Sequence, residues 1–225
     1  MINRRVVAHR GLTVDEVENT LGALRAAVDL GVSAVEFDVH ATADGVWVVH
    51  HDADLMRIHD QPHQIADHSL ESLSAVAPIL TLEMALQVFH SGCRPMIEVK
   101  ETTTRSFETL AETLRAAPGL SPLVIVRRGM PEAARVLLPD EVQIYLFSES
   151  VAEAETSCSQ PISGFDLRHD DISHQEIPEV VERFAAKQRE LAVWTVNDPD
   201  TARVWLEAGV RWVITDKPEI IGNAL

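Results

Sequence analysis

Ala34-Val35-Glu36-Phe37-Asp38-Val39 and Val46-Trp47-Val48-Val49-His50 are two strand-like runs with only six residues between them. Six residues cannot hold a crossover helix, so this pair reads as a hairpin or a distorted corner. Elsewhere, short β-rich runs alternate with longer helix-like segments. The pattern predicts further strands at 5–9, 95–99, 123–127, 142–147, 162–167, 191–196 and 211–215. It predicts helices at 17–30, 81–90, 107–117, 132–138, 175–189 and 201–208. Gly31 and Gly209 follow two of these as C-terminal glycines, and Asp198-Pro199 suits an N-cap with the first helical position. Such alternation argues for an α/β fold with a mainly parallel sheet. Nine strand candidates for eight places point to a slightly irregular TIM (β/α)8 barrel. An open doubly wound sheet is the alternative, but no Gly-x-Gly-x-x-Gly turn supports it.

The chain has 225 residues, 46% of them hydrophobic, enough to bury a sizeable core. No apolar run exceeds four residues, so no membrane span is expected. Nineteen basic and 35 acidic residues give a net charge of −16, a field that repels a phosphate backbone and argues against nucleic acid as a partner. Cys93 and Cys158 are too few for a disulfide framework or a cysteine-built zinc site. No secretory signal opens the sequence, and a cytoplasmic location is the expectation.

The strand at 34–39 alternates: Glu36 and Asp38 share one face, and Val35, Phe37 and Val39 share the other. The strand at 95–99 repeats this, with Glu98 and Lys100 opposite Ile97 and Val99. In a barrel the apolar faces meet the helices, which aims three carboxylates inward. Close carboxylates repel and lose hydration, so they need compensation. A divalent cation with oxygen ligands supplies it, and so does an internal salt-bridge network with Lys100 and Arg10. Spacing leaves both readings open. His9 ends the first strand, and His50-His51 end the third; strand C-terminal ends form the catalytic face of a barrel. Histidines there suit acid and base roles near neutral pH. Adjacent His50 and His51 point to opposite sides, so only one faces such a site.

Taken together, His9-Arg10-Gly11, Glu18-Asn19-Thr20, Glu36-Phe37-Asp38-Val39 and Val48-Val49-His50-His51-Asp52 resemble the glycerophosphodiester phosphodiesterase family. The resemblance continues in Ile97-Glu98-Val99-Lys100, Trp194-Thr195-Val196-Asn197-Asp198 and Val213-Ile214-Thr215-Asp216-Lys217-Pro218. It implies one TIM-like domain over residues 1–225 that hydrolyses a small-molecule glycerophosphodiester to glycerol phosphate and an alcohol. It implies that Glu36, Asp38 and Glu98 bind one divalent cation, magnesium or calcium. His9 and His51 become the acid/base pair, and Arg10 and Lys100 hold the phosphate. Glu18 supports the site from the first loop, and Trp194 forms an aromatic wall. Asn197 and Asp198 read as a turn and a helix cap.

The sequence departs from the family pattern at several places. Val17 replaces proline, Arg57-Ile58-His59 replaces Arg-Thr-Thr, and the insertion after the His-Asp motif is cut down to about 53–80. Within that segment His59, His63 and His68 read as part of a solvated loop rather than a second metal site. Arg127 and Arg128 stand where small polar residues are usual, and read as solvated surface arginines. Two alternatives stay open: a lipid-active relative of the lysophospholipase D or sphingomyelinase D type, and a non-catalytic phosphodiester-binding barrel. All five acid/base and metal positions are intact, which favours an enzyme.

Overall fold

The computed structural model describes residues 5–101 and 106–223. Eight parallel strands form a ring: β1 (Val6–His9), β2 (Ala34–Ala41), β4 (Arg94–Val99), β5 (Leu123–Val126), β6 (Gln143–Ser148), β7 (Gly164–Arg168), β8 (Glu190–Trp194) and β9 (Trp212–Thr215). The ring closes because β1 pairs with β9 on one side and with β2 on the other. This is a TIM barrel. The remaining strand, β3 (Trp47–Val49), lies antiparallel on β2 with Val39 opposite Val49 and Ala41 opposite Trp47. The predicted hairpin therefore accounts for the ninth strand.

Helices α1 (Leu21–Leu30), α5 (Phe107–Arg115), α6 (Pro131–Leu137), α7 (Val151–Thr156), α8 (Ile177–Ala185) and α9 (Pro199–Ala208) link successive barrel strands, and α10 (Pro218–Asn223) follows β9. Their apolar faces meet the outward side chains of the strands in one large core containing Leu24, Phe37, Phe107, Phe165 and Trp205. A second cluster, with Val7, Met96, Ile125, Tyr145, Trp212 and Ile214, takes the alternate strand positions and fills the barrel. Gly164 permits the closure there: a Cβ on it would stand 2.3 Å from the carbonyl oxygen of Glu190.

Three differences from the sequence pattern matter for function. The first helix begins at Leu21, not at 17, because the Thr20 side chain accepts a hydrogen bond from Ala23 N and caps it. Residues 17–20 are thereby freed to turn Glu18 and Asn19 towards the barrel mouth. Helix α7 was missed because its six residues carry too little apolar periodicity; its start is set by Ser150, which accepts from Glu153 N. The stretch around His59, His63 and His68, read as a solvated loop, lies within a partly folded segment. Helices α2 (Met56–His59) and α3 (Leu70–Ser74), with a 3-10 turn at Ile65–Asp67, bury Leu55, Ile65 and Leu73 against Val48. Helix α4 (Leu82–Leu86) then takes the crossover place before β4. These apolar residues are too widely spaced for a periodicity argument and become a core only because β3 supplies Val48.

Candidate active site at the barrel mouth

Backbone register assembles the site. His9 on β1 is paired with Glu36 on β2, and Asp38 on β2 is paired with Glu98 on β4. Each pair shares a face, so all four side chains enter the mouth of the barrel. One carboxylate oxygen from each of Glu36, Asp38 and Glu98 lies within 4.8 Å of the others. All three residues are buried.

Cations surround this cluster. Lys100 Nζ stands 2.8 Å from Asp38 and 3.0 Å from Glu98. Arg10 Nε lies 3.3 Å from Asp38, while Arg10 Nη1 donates to Glu18 at 3.0 Å. The backbone of Arg10 is left-handed, with φ of 56°, and its N–H donates to Glu36 Oε2 at 3.1 Å. Gly11 follows because a Cβ there would come within 2.6 Å of the Ala23 backbone. The salt-bridge network read from the spacing is thus present around the carboxylate trio.

The charges are unequal in consequence. Burial raises the Asp38 carboxyl, but Lys100 and Arg10 outweigh it and hold it below its ordinary value. Glu36 goes the other way. Burial, reinforced by the charges of Asp38 and Glu98, pushes its carboxyl well above the usual range. Among the described residues, its Oε1 is buried without a hydrogen-bond partner.

The two candidate acid/base histidines are held alike. His9 Nδ1 is 2.6 Å from Asp216 Oδ1, and His51 Nδ1 is 2.7 Å from Asp52 Oδ1. A carboxylate only accepts, so both Nδ1 atoms carry hydrogen and both Nε2 atoms are left for chemistry. His9 Nε2 lies 3.9 Å from Glu36. Asn197 braces the first pair by donating to Asp216 Oδ2 at 2.6 Å. Arg57 braces the second, donating to Asp52 at 2.6 Å and to Glu18 at 2.6 Å. Burial raises the Asp52 carboxyl, but its bonds to Arg57 and His51 outweigh this and hold it down at about 2. Glu18 therefore links Arg10 to the 53–80 segment. His50 follows Val48 onto the face covered by that segment, with Nδ1 donating to the Asp52 carbonyl at 3.0 Å.

His9, Arg10, Glu36, His51, Glu98, Lys100 and Trp194 line one cavity of about 220 Å³. Trp194 stacks on Phe147 with ring centroids 5.1 Å apart. Arg127 corrects its reading as a solvated arginine. Its guanidinium lies 3.6 Å above the Phe147 ring and donates to Glu98, in the same cavity. Arg128 is 64% exposed, as its sequence reading expected.

Sequence reasoning passed over three residues here. Asn19 donates to Asp38 Oδ2 at 2.9 Å and accepts from Asp38 N at 3.2 Å, fixing that carboxylate. Asp216 orients His9. Both lie inside quoted motifs, beside residues that drew more attention. Asp166 on β7 is a further inward carboxyl, 3% exposed, raised by burial and then by the charge of Glu98. Its signal was the same alternation that exposed Glu36, between Phe165 and Leu167. The role of Arg127 was misread because its partner Glu98 belongs to the neighbouring strand.

A model described as the glycerophosphoryl diester phosphodiesterase family matches residues 9–135 and 132–220. Bovine (Bos taurus) glycerophosphodiester phosphodiesterase 1 is 39% identical over 72 residues, which span 32% of this chain and 22% of that protein. The match thus covers about a fifth of such mammalian relatives. A glycerophosphodiester phosphodiesterase of Caldanaerobacter subterraneus is 25% identical over 97% of this chain and 96% of its own. The crystal structure of a glycerophosphodiester phosphodiesterase from Thermotoga maritima superposes with a TM-score of 0.82 at 23% identity, covering 99% of each chain. An Oleispira antarctica phosphodiesterase, solved with the product sn-glycerol-3-phosphate, gives 0.82 at 22% identity over 98% of this chain and 96% of that one. These likenesses establish the barrel fold.

Proposed function

The chain belongs to the glycerophosphoryl diester phosphodiesterase family, and from that premise we propose that it hydrolyses glycerophosphodiesters to glycerol phosphate and an alcohol, using one divalent cation, magnesium or calcium. The whole of residues 1–225 acts as one domain in this reading, with 53–80 as a shortened cover. One observation carries it: a cluster of three buried carboxylates, with Glu36 and Glu98 lining the cavity, stands beside two histidines whose Nδ1 atoms are each held by an aspartate.

The residues fit such an ion. Their donors are all carboxylate oxygens, the set a hard cation takes. Among the described residues the buried Oε1 of Glu36 has no hydrogen-bond partner, so it is available as a ligand atom. Glu36, Asp38 and Glu98 would hold it, and when bound it supplies positive charge beside the phosphoryl oxygens.

A phosphodiester is an anion with a poor leaving group, and the remaining residues answer both problems. Arg10 and Lys100 bring positive charge to the phosphate oxygens and keep the diester against the carboxylate cluster. One histidine takes a proton at Nε2 from the attacking hydroxyl, and the other gives a proton to the departing alkoxide. The proton traffic is the same whether water attacks first or the neighbouring glycerol hydroxyl does. Net, one water is consumed: the bond from phosphorus to the alcohol oxygen breaks, a hydroxyl stays on phosphorus, and the alcohol leaves protonated. Trp194 and Phe147 wall the site on its far side.

Cys93 and Cys158 are free, which suits a reducing cytoplasm. Among the described residues no helix is long and apolar enough to cross a membrane. With a net charge of −16, a small diester and not a nucleic acid is the partner this reading assigns.

Phosphorus NMR of reactions with glycerophosphocholine, glycerophosphoethanolamine and glycerophosphoglycerol tests it. Glycerol phosphate should appear with magnesium or calcium and disappear with chelator. No product from any diester, or cleavage on the glycerol side alone, would overturn it.

A further inference from the structure

A second cavity, of about 260 Å³, adjoins the catalytic one beneath the 53–80 cover. His51 lines both. The walls of the second are mainly apolar: Leu21, Leu55, Ile58, Ile65, Leu80 and Met84. Its volume exceeds the roughly 150 Å³ of an apolar cavity that accepts benzene. Met84 is 46% exposed, so an apolar surface continues to the outside.

The polar groups of this cavity are already committed or uncharged. Glu18 is paired with Arg10 and Arg57. His50 is 6% exposed, its Nδ1 donates to the Asp52 carbonyl, and its Nε2 has no partner among the described residues. Burial lowers its pKa, which disfavours the charged ring. Among the described residues lining it, there is no unpaired carboxylate and no aromatic cage for a quaternary ammonium. The catalytic cavity is the opposite, being lined by charged side chains that suit phosphate and glycerol.

We propose that the second cavity receives the departing alcohol, and that the preferred alcohol carries an uncharged apolar chain of several carbons rather than a cationic headgroup. This rests on the hydrolase reading above. His51 is the link: because it lines both cavities, a substituent whose bridging oxygen meets His51 in the catalytic cavity has the apolar cavity next to it. The shortened 53–80 segment makes the roof, through Leu55, Ile58 and Ile65, so the departures from the family pattern and the apolar cavity coincide. Ile58 and His59 stand where the pattern has two threonines.

A chain-length series tests this on the full protein with its cation. The probes are glycerophosphodiesters of ethanol, butanol, hexanol and octanol, beside glycerophosphocholine. Each methylene that enters the cavity should raise kcat/KM by up to about fourfold, the equivalent of about 0.8 kcal/mol, until the space is filled. The hexyl diester should therefore exceed the ethyl diester and glycerophosphocholine by at least roughly tenfold. In Ile58→Trp the added ring fills the cavity, and the hexyl-to-ethyl ratio should fall towards one. Should that variant fail to fold, n-alkyl phosphates serve as competitive inhibitors of the unaltered protein, and their inhibition constants should fall with chain length over the same range. Equal kcat/KM across the series overturns this subsite but leaves the hydrolase reading standing. A chain-length gain that survives in folded Ile58→Trp puts the chain elsewhere and also overturns it. Absence of glycerol phosphate from every diester overturns both.

Discussion

Nδ1 of His9, at the end of β1, lies 2.6 Å from Oδ1 of Asp216, which directly follows β9. Beyond their backbone pairing, the first and last strands of the barrel are thus joined by a side-chain hydrogen bond, and ring closure itself orients the proposed acid/base histidine. His51 obtains the same orientation locally, from Asp52 next to it in sequence.

This arrangement separates turnover from cation binding. His9→Ala and His51→Ala should each lower kcat by roughly 10² or more. Asp216→Asn should lower it by a smaller factor, because the ring remains while its tautomer is no longer imposed. Calorimetry should find cation affinity close to that of the unaltered protein in all three. A loss of cation binding that parallels the loss of kcat would make His9 a ligand and contradict its role.

Arg127 and the proposed cation draw on the same carboxylate. Its guanidinium donates to Glu98 and rests on Phe147, 3.6 Å from the ring centroid. Arg127→Met removes a competitor and a like charge together, so the cation should bind roughly three- to tenfold more tightly. Weaker binding in this variant would mean that Arg127 organises Glu98 for the ion instead of occupying it.

Asp166 makes the stability of the cation-free protein depend on pH. Burial, and then the charge of Glu98, raises its carboxyl well above the ordinary aspartate value. The native state therefore holds a proton that the unfolded state releases at about pH 4. Its contribution is complete below that pH and is lost as pH rises towards the native value. Glu36, raised for the same first reason, adds to the loss above its ordinary range. Melting temperatures in chelator should fall as pH rises from 5 to about 8, and Asp166→Asn, which mimics the protonated form, should flatten the slope. An equal destabilisation by Asp166→Asn at every pH would assign that residue a packing role only.

Period-2 alternation made the barrel and its carboxylates readable, because inward and outward positions need opposite chemistry. Glu36, Asp38, Glu98 and Lys100 each stand out against apolar neighbours on the same strand. The hairpin at β2 and β3 was readable from chain length alone. Contacts whose partners are far apart in sequence were not. Asp216 reaches His9 across 207 positions, and Arg127 reaches Glu98 from the adjacent strand. The 53–80 cover failed for a related reason: Leu55, Ile65 and Leu73 follow no helical or strand period, and Val48 unites them only in three dimensions.

The ion that Glu36, Asp38 and Glu98 are proposed to hold is the centre of the proposed chemistry. Calorimetric titration of the chelator-stripped protein with magnesium and with calcium measures it. One ion should bind per chain, and binding should weaken strongly in Glu36→Gln, Asp38→Asn and Glu98→Gln. Binding unchanged in these variants, or no binding to the unaltered protein, would contradict the account.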